Sequence, residues 1–259
     1  MYSLTCTDAH QYANPGEVYV LDILPTNAGL AAISSDQTLS LFNATELKRG
    51  PVRQFTTSHG NITALRASEP MSPVVLTAGE NGSVSVWDLR DPATSSSSAA
   101  DGLVNICDIR IADEDEVIVQ TFNHGASIHR AGFLNQTEVF ALSNDEKLAL
   151  YDMAEQQEKG SATLDFSDMR SVIQCQYVAS VHPKGPSAAV IGAGAQDEHR
   201  FQLIHLSKTP GWGLDSDNVV NLPGAHGEEV VRSFCVFDDE QVVYTGGEDG
   251  QIKAWRPTS

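Results

Sequence analysis

The chain has 259 residues, enough to bury a core either as one large repeat fold or as two ordinary domains. It carries 34 Asp and Glu against 16 Lys and Arg, a formal charge of −18, so its field repels phosphate backbones and anionic headgroups and argues against nucleic acid or membrane as partner. Four cysteines, Cys6, Cys107, Cys175 and Cys235, stand far apart with no CxxC pair, as expected of reduced thiols in a cytoplasmic or nuclear protein and not of a disulfide or zinc framework.

The N-terminal segment MYSLTCTDAH has no basic region and no apolar run, and no later stretch reaches the length of a spanning helix, so a soluble, non-secreted chain is expected. The N-x-S/T sequons at Asn43, Asn61, Asn81 and Asn135 are accordingly read as turn residues. Ser3–Thr7 reads as a strand, followed by a His-containing turn at His10 and the apolar run VYVLDIL. A polar turn at Asp36 then feeds the short strand LSLF, ending at Phe42. The same order returns further on: His59, ITALRA, a turn at Asn81 and VSVW ending at Trp87. Tight polar turns feeding half-buried strands require this alternation of residue types.

After Trp87 the pattern breaks. The segment DPATSSSSAAD has no strand signal, so 91–102 is expected to be an irregular Ser/Ala-rich loop. The next strand, VNIC, ends at Cys107, less than half the usual interval beyond Trp87. By the repeat order Leu103–Asp108 is a third strand and Val117–Phe122 a fourth, with the first two missing. The expected solution is that Val117–Phe122 serves as outer strand of the second unit and 91–116 bulges outward, with a hairpin to 117–122 as an option. An open or strained ring is the alternative. The acidic run Asp113–Glu116 between them is read as solvated loop charge, with docking of a basic partner as the rival.

The pattern resumes with His124, SIHRAGFL, Asp145 and LALY ending at Tyr151, then Glu198 and FQLI ending at Ile204. Trp212 falls in KTPGWGLDSD, read as a long connection. It is either an exposed binding anchor or a ring folded over its own sheet. The last unit runs His226, VVRSFCVF, Thr245, Asp249 and IKAW ending at Trp255. A period of this kind means a repeat architecture of small sheets. Arg130 and Arg232 each lie six residues past their turn histidine on an inner strand, with Arg66 a weaker third. They are candidates for a cationic ring that receives an acidic peptide, internal ion pairing being the rival.

These units resemble WD40 repeats, in which a His turn, an inner strand, a second strand, an Asp turn and a strand ending in Trp-Asp form one blade. The resemblance implies an all-β WD40 β-propeller, here a single domain over 1–259 with about five blades, closed by the N-terminal strand. In that family a His, a Ser/Thr, an Asp and a Trp form a hydrogen-bonded tetrad, which His226, Thr245, Asp249 and Trp255 match fully. His59, Thr77 and Trp87 match with Asn81 in place of Asp. Much of the chain is also similar to the WD repeat-containing protein 89 family and its fungal relatives, whose form looks seven-bladed, which implies that about one and a half blades are missing near 91–102. The implied function is a non-catalytic, monomeric scaffold for other proteins or peptides, with no cofactor or metal. WDLR (87–90) resembles the signature of cullin-4 ubiquitin-ligase substrate receptors, with Arg90 as the adaptor contact. A propeller enzyme is the third option, although no GxSxG, HExxH or phosphate-loop pattern is present.

Overall fold

The computed structural model describes residues 2–13, 16–90, 94–96, 104–107, 118–154 and 160–257. In chain order the first strands are β1 (Tyr2–Gln11), β2 (Val20–Thr26), β3 (Gly29–Ser34), β4 (Thr38–Phe42), β5 (Pro51–Thr56), β6 (Ile62–Ala67), β7 (Val74–Gly79), β8 (Val84–Asp88) and β9 (Thr94–Ser96). Then come β10 (Val104–Cys107), β11 (Ile118–Phe122), β12 (Ile128–Phe133), β13 (Glu138–Ser143), β14 (Lys147–Asp152), β15 (Leu164–Asp168) and the short helix α1 (Met169–Ile173). The chain continues with β16 (Tyr177–Pro183), β17 (Ala188–Ala195), β18 (Arg200–Lys208), β19 (Trp212–Pro223), β20 (Val231–Phe237), β21 (Val242–Gly247) and β22 (Gln251–Pro257). The contacts divide the chain into two compact units, one of 1–100, 194–201 and 220–259, the other of 101–193 and 202–219.

In the first unit β2–β5 and β6–β9 are four-stranded sheets in sequence order, and β20–β22 form a third sheet whose fourth strand is β1. The second strand of the first sheet shows why the units are so apolar. Leu30, Ala31, Ala32 and Ile33 of β3 are all fully buried because each face meets a different neighbour. Leu30 and Ala32 join Val20, Phe42, Tyr244 and Ile252, while Ala31 and Ile33 join Leu39, Leu65, Val75 and Trp87. A strand covered on both faces needs a continuous hydrophobic run and not an alternating one.

β1 pairs antiparallel with β22 from Leu4↔Pro257 to Gln11↔Gln251, with a bulge between Cys6 and Asp8, and touches β19 in parallel at Tyr2↔Val220 and Ser3↔Asn221. The strand is therefore longer than Ser3–Thr7, and His10 is not a turn residue. It lies opposite Ile252, with its ring against Tyr12 and Phe42 at centroid distances of 5.1 and 4.9 Å. Asp8, two residues back on the same face of the strand, adds an anchor by accepting the Leu47 backbone N–H at 2.8 Å.

The expected outer strand of the second sheet is corrected. Thr94–Ser96, inside the segment read as irregular, pairs with β8 at Ser85↔Ser96, Val86↔Ser95 and Trp87↔Thr94. A short connection closes at lower entropic cost than the long one needed to bring up residues 117–122. Val117–Phe122 does not serve β8: Ile118–Phe122 pairs instead with Val104–Cys107 as a separate two-stranded sheet in the second unit. The acidic run Asp113–Glu116 lies outside the described residues.

In the second unit β12–β15 form a four-stranded sheet. Phe140 and Leu142 of β13 face a cluster with Val178, Ile191 and Ile204, while Val139 and Ala141 face Phe122, Ala149 and Tyr151. Strands β16–β19 follow one another in order and belong in part to each unit. Trp212 is not in a long connection, because it opens β19.

Candidate functional site: polar clamps and first-strand bulges

The last sheet is fastened by a chain of buried polar groups. Because Val243 stands opposite Trp255, the indole reaches Thr245, two residues along β21 on the same face. Trp255 Nε1–H donates to Thr245 Oγ1 at 2.8 Å, Thr245 Oγ1 lies 2.7 Å from His226 Nε2, and His226 Nδ1 lies 2.6 Å from Asp249 Oδ1. One proton arrangement satisfies every group: indole N–H to hydroxyl oxygen, hydroxyl to Nε2 of a neutral imidazole, and Nδ1–H to the carboxylate. Burial pushes the His226 pKa down, against the pull of Asp249. Burial alone would raise Asp249, but its hydrogen bond to His226 and the Lys253 ammonium at 3.3 Å hold it below the ordinary value. Gly247 must lack a side chain, since a Cβ there would overlap the His226 ring.

The second sheet repeats the offset with Val75 opposite Trp87. Trp87 Nε1–H donates to Thr77 Oγ1 at 2.7 Å, and Thr77 Oγ1 lies 2.7 Å from His59 Nε2. Where the last sheet has Asp249, His59 Nδ1 meets Ser83 Oγ at 3.0 Å, and Ser83 in turn donates to Asn81 Oδ1 at 2.8 Å. Ser83 was missed by sequence reasoning, which looked for a replacement at Asn81 alone. The sheet of β12–β15 has Ala141 where the threonine would stand, so the Tyr151 hydroxyl bonds His124 Nδ1 directly at 3.0 Å. The first sheet has Ala32 opposite Ser40 and Phe42 as the ring, and relies on apolar packing.

The first strands of four sheets share a second feature. Register slips by one residue between Val20 and Asp22, Ile62 and Ala64, Ile128 and Arg130, and Val231 and Ser233. The extra residues are Leu21, Thr63, His129 and Arg232. Bulges turn a side chain out of the sheet and often sit where a protein binds. In the first unit Thr63 and Arg232 are exposed and Leu21 is half-buried.

This register corrects the proposed cationic ring. Arg232 corresponds to His129, and Arg130 corresponds to Ser233, because the His124 turn is one residue shorter than the His226 turn. Arg232 is also committed to Glu248, with Nε at 2.7 Å from Oε1. Arg66 reaches Asp22 Oδ2 at 3.1 Å. Asp22 is the unforeseen residue here: buried on β2, it accepts from the Ser233 hydroxyl at 2.6 Å and so ties together the first strands of all three sheets of the unit.

Arg90 ends WDLR with an exposed side chain gripped by Asp88, at 2.8 Å from Nε and 2.6 Å from Nη2, while Leu89 is buried. Trp212 is not an exposed anchor. It packs on the core of the second unit and donates Nε1–H to Glu138 Oε1 at 2.8 Å. Glu138, buried on β13, also holds the Lys208 ammonium at 2.9 Å and the Asn135 amide. Burial would raise its pKa, but the three donors outweigh it and hold the carboxyl low. The sequon asparagines are occupied as turn residues: Asn43, Asn81 and Asn135 each accept a backbone N–H two residues on, and Asn61 bonds Glu80. Among the described residues no cluster of three His, Cys, Asp or Glu could hold a metal, and no helix is long and apolar enough to cross a membrane.

The two stretches that carry the full hydrogen-bonded clamps, 50–88 and 218–256, match the family model described as WD domain, G-beta repeat. These two stretches are therefore similar to WD40 repeats. The chain is 33% identical over 162 residues to an uncharacterised WD repeat-containing protein of Saccharomyces cerevisiae, covering 61% of this chain and 40% of that one. A second such protein, from Schizosaccharomyces pombe, is 28% identical over 213 residues, covering 79% and 58%. The chain thus spans less than two thirds of the length of either relative. Among solved structures it is similar to a chain of the mitotic checkpoint complex, with a TM-score of 0.58 and 14% identity over 93% of this chain and 76% of that one. Raptor of Chaetomium thermophilum gives 0.62 and 9% over 97% and 30%. At such identities the likeness is one of fold, all-β and WD40 propeller-like.

Proposed function

We propose that this WD40-repeat protein is a non-catalytic scaffold that binds other proteins. The observation that carries this is a division of labour among its polar residues. The His, Thr and Trp side chains of the clamps are spent on one another, while the first-strand bulges put the exposed Thr63 and Arg232 side chains, the latter held by Glu248, near the start of their strands. Charge steers the choice of partner toward protein, since a net −18 disfavours polyanions. The test is recovery of defined partners from native extract at physiological salt by the intact chain, and their loss with Thr63→Arg, an exposed position, at unchanged melting temperature. Recovery of none, or equal recovery by the variant, overturns the proposal.

Several finer points belong to the same proposal: one domain over 1–259, a monomer of the cytoplasm or nucleus, and kinship with the WD repeat-containing protein 89 family with repeat material missing near 91–102. The two-stranded sheet of β10 and β11, with no further strand paired to it among the described residues, supports the missing-repeat part. A cullin-4 receptor role rests on the exposure of Arg90, whose adaptor would have to compete with Asp88. Arg90→Ala should abolish adaptor co-purification, and unchanged recovery removes the role.

A further inference from the structure

Among the described residues, the sheet of β10 and β11 is where the repeat order is incomplete. β11 leads through the His124 turn into β12, as β5 leads through His59 into β6 and β19 through His226 into β20. β11 therefore holds the fourth-strand position and β10 the third. In every four-stranded sheet the third strand is bonded along both edges. β10 has β11 on one edge, with Val104↔Phe122 through Cys107↔Ile118, and no strand on the other among the described residues.

That edge is held ready. A hairpin alone is marginal in water, but the end of this one is fixed to the neighbouring sheet. Phe122 is buried with its ring 4.7 Å from Tyr151, and the Asn123 N–H donates to the Gly160 carbonyl at 3.3 Å. An edge already in place spares a partner the cost of ordering it. Its sequence, Val-Asn-Ile-Cys, carries neither the lysine nor the proline with which proteins blunt open edges.

We propose that the free edge of β10 receives an apolar β-hairpin from a second polypeptide, paired antiparallel and filling the first and second strand positions. This rests on the missing-repeat reading of 91–102. Two vacant positions call for a hairpin and not a single strand. A second copy of this chain is the poorer occupant: pairing two four-residue strands buries far less than the roughly 1,200 Å² of a stable interface, and it brings together two bodies of charge −18.

The probe is a synthetic peptide of Val20–Ser34, this protein's own first-and-second-strand hairpin, with a lysine tail, titrated into the full chain beside a scrambled peptide with the same tail. The expected result is saturable binding by the hairpin alone, with amide exchange at 104–107 slowed about tenfold or more, and affinity about tenfold weaker in Ile106→Lys, a charge of the kind that guards natural edges. Equal binding of the scrambled peptide, unchanged exchange at 104–107, or protection that tracks self-association overturns the proposal. Grafting Val20–Ser34 in cis between Ser96 and Val104 separates the two ideas. A raised melting temperature without binding in trans sinks the docking site and keeps the missing repeat; no rise sinks the missing repeat.

Discussion

Thr245→Val is the sharpest probe of the clamp. The change keeps the branched shape and opens no cavity, but it deletes the oxygen that accepts from Trp255 Nε1 at 2.8 Å and lies 2.7 Å from His226 Nε2, at a site with no solvent exposure. Each buried polar group stripped of its partner costs about 1–3 kcal/mol, so two give a loss of about 2–4 kcal/mol once the neighbours relax. For a cooperative unit of this size that is roughly 5–10 °C in melting temperature. Thermal and urea unfolding of wild type, Thr245→Val and Thr245→Ser would measure it, the serine restoring most of the loss. Thr77→Val should lose less, because His59 is backed by the neutral Ser83 and not by a carboxylate. A loss under about 0.5 kcal/mol for Thr245→Val, within the range of ordinary surface changes, would refute the argument that the clamp holds the sheet.

Ser83→Ala removes the partner of His59 Nδ1 and should destabilise by about 1 kcal/mol in urea melts, with Ser83→Thr close to wild type. Glu138→Ala leaves the Lys208 ammonium and the Trp212 N–H without their acceptor and should cost about 3 kcal/mol, together with a change in tryptophan fluorescence on the native baseline. Acid should weaken the fold in two stages. His226 is held below its ordinary 6.5 by burial, so the unfolded chain takes up the proton first, and stability present above about pH 6.5 falls as pH drops through that value. Asp249 is held below 3.8, so its contribution persists above that value and is lost as pH falls through the folded pKa. Urea titrations at about pH 5 and 7.5 should show the first stage, and His226→Gln should flatten it.

The repeat and the last clamp were legible because their residues recur at fixed spacing in turns and strands: His226, Thr245, Asp249 and Trp255 can be read along the chain. What escaped depended on register. Arg130 and Arg232 share a distance from their histidines but not a place in the sheet, since a turn one residue shorter shifts the strand behind it. His10 copied the letters of a His turn while sitting in a strand, a distinction decided by its pairing with Ile252. Thr94–Ser96 gave no apolar alternation, because a short outer strand is selected by the backbone of β8 and not by a core. Ser83 and Asp22 were invisible for a different reason: each matters through a residue far along the chain or in a neighbouring turn, and polar partners carry no periodic signature.

The pairing of β1 with β22 joins positions as far apart as Thr7 and Ala254, separated by 247 residues. At about 5–20 residues per second, a ribosome would leave the earlier strand waiting about 10–50 s for its mate. Through that interval it must stay in solution as an unpaired segment, and Asp8 and His10, along with the exposed Thr5 and Thr7, make it polar enough to do so. Assembly of the last sheet is thus set by the pace of synthesis, and a fusion that ties down residues 2–11 during translation would act on folding yield without touching any residue of the finished core.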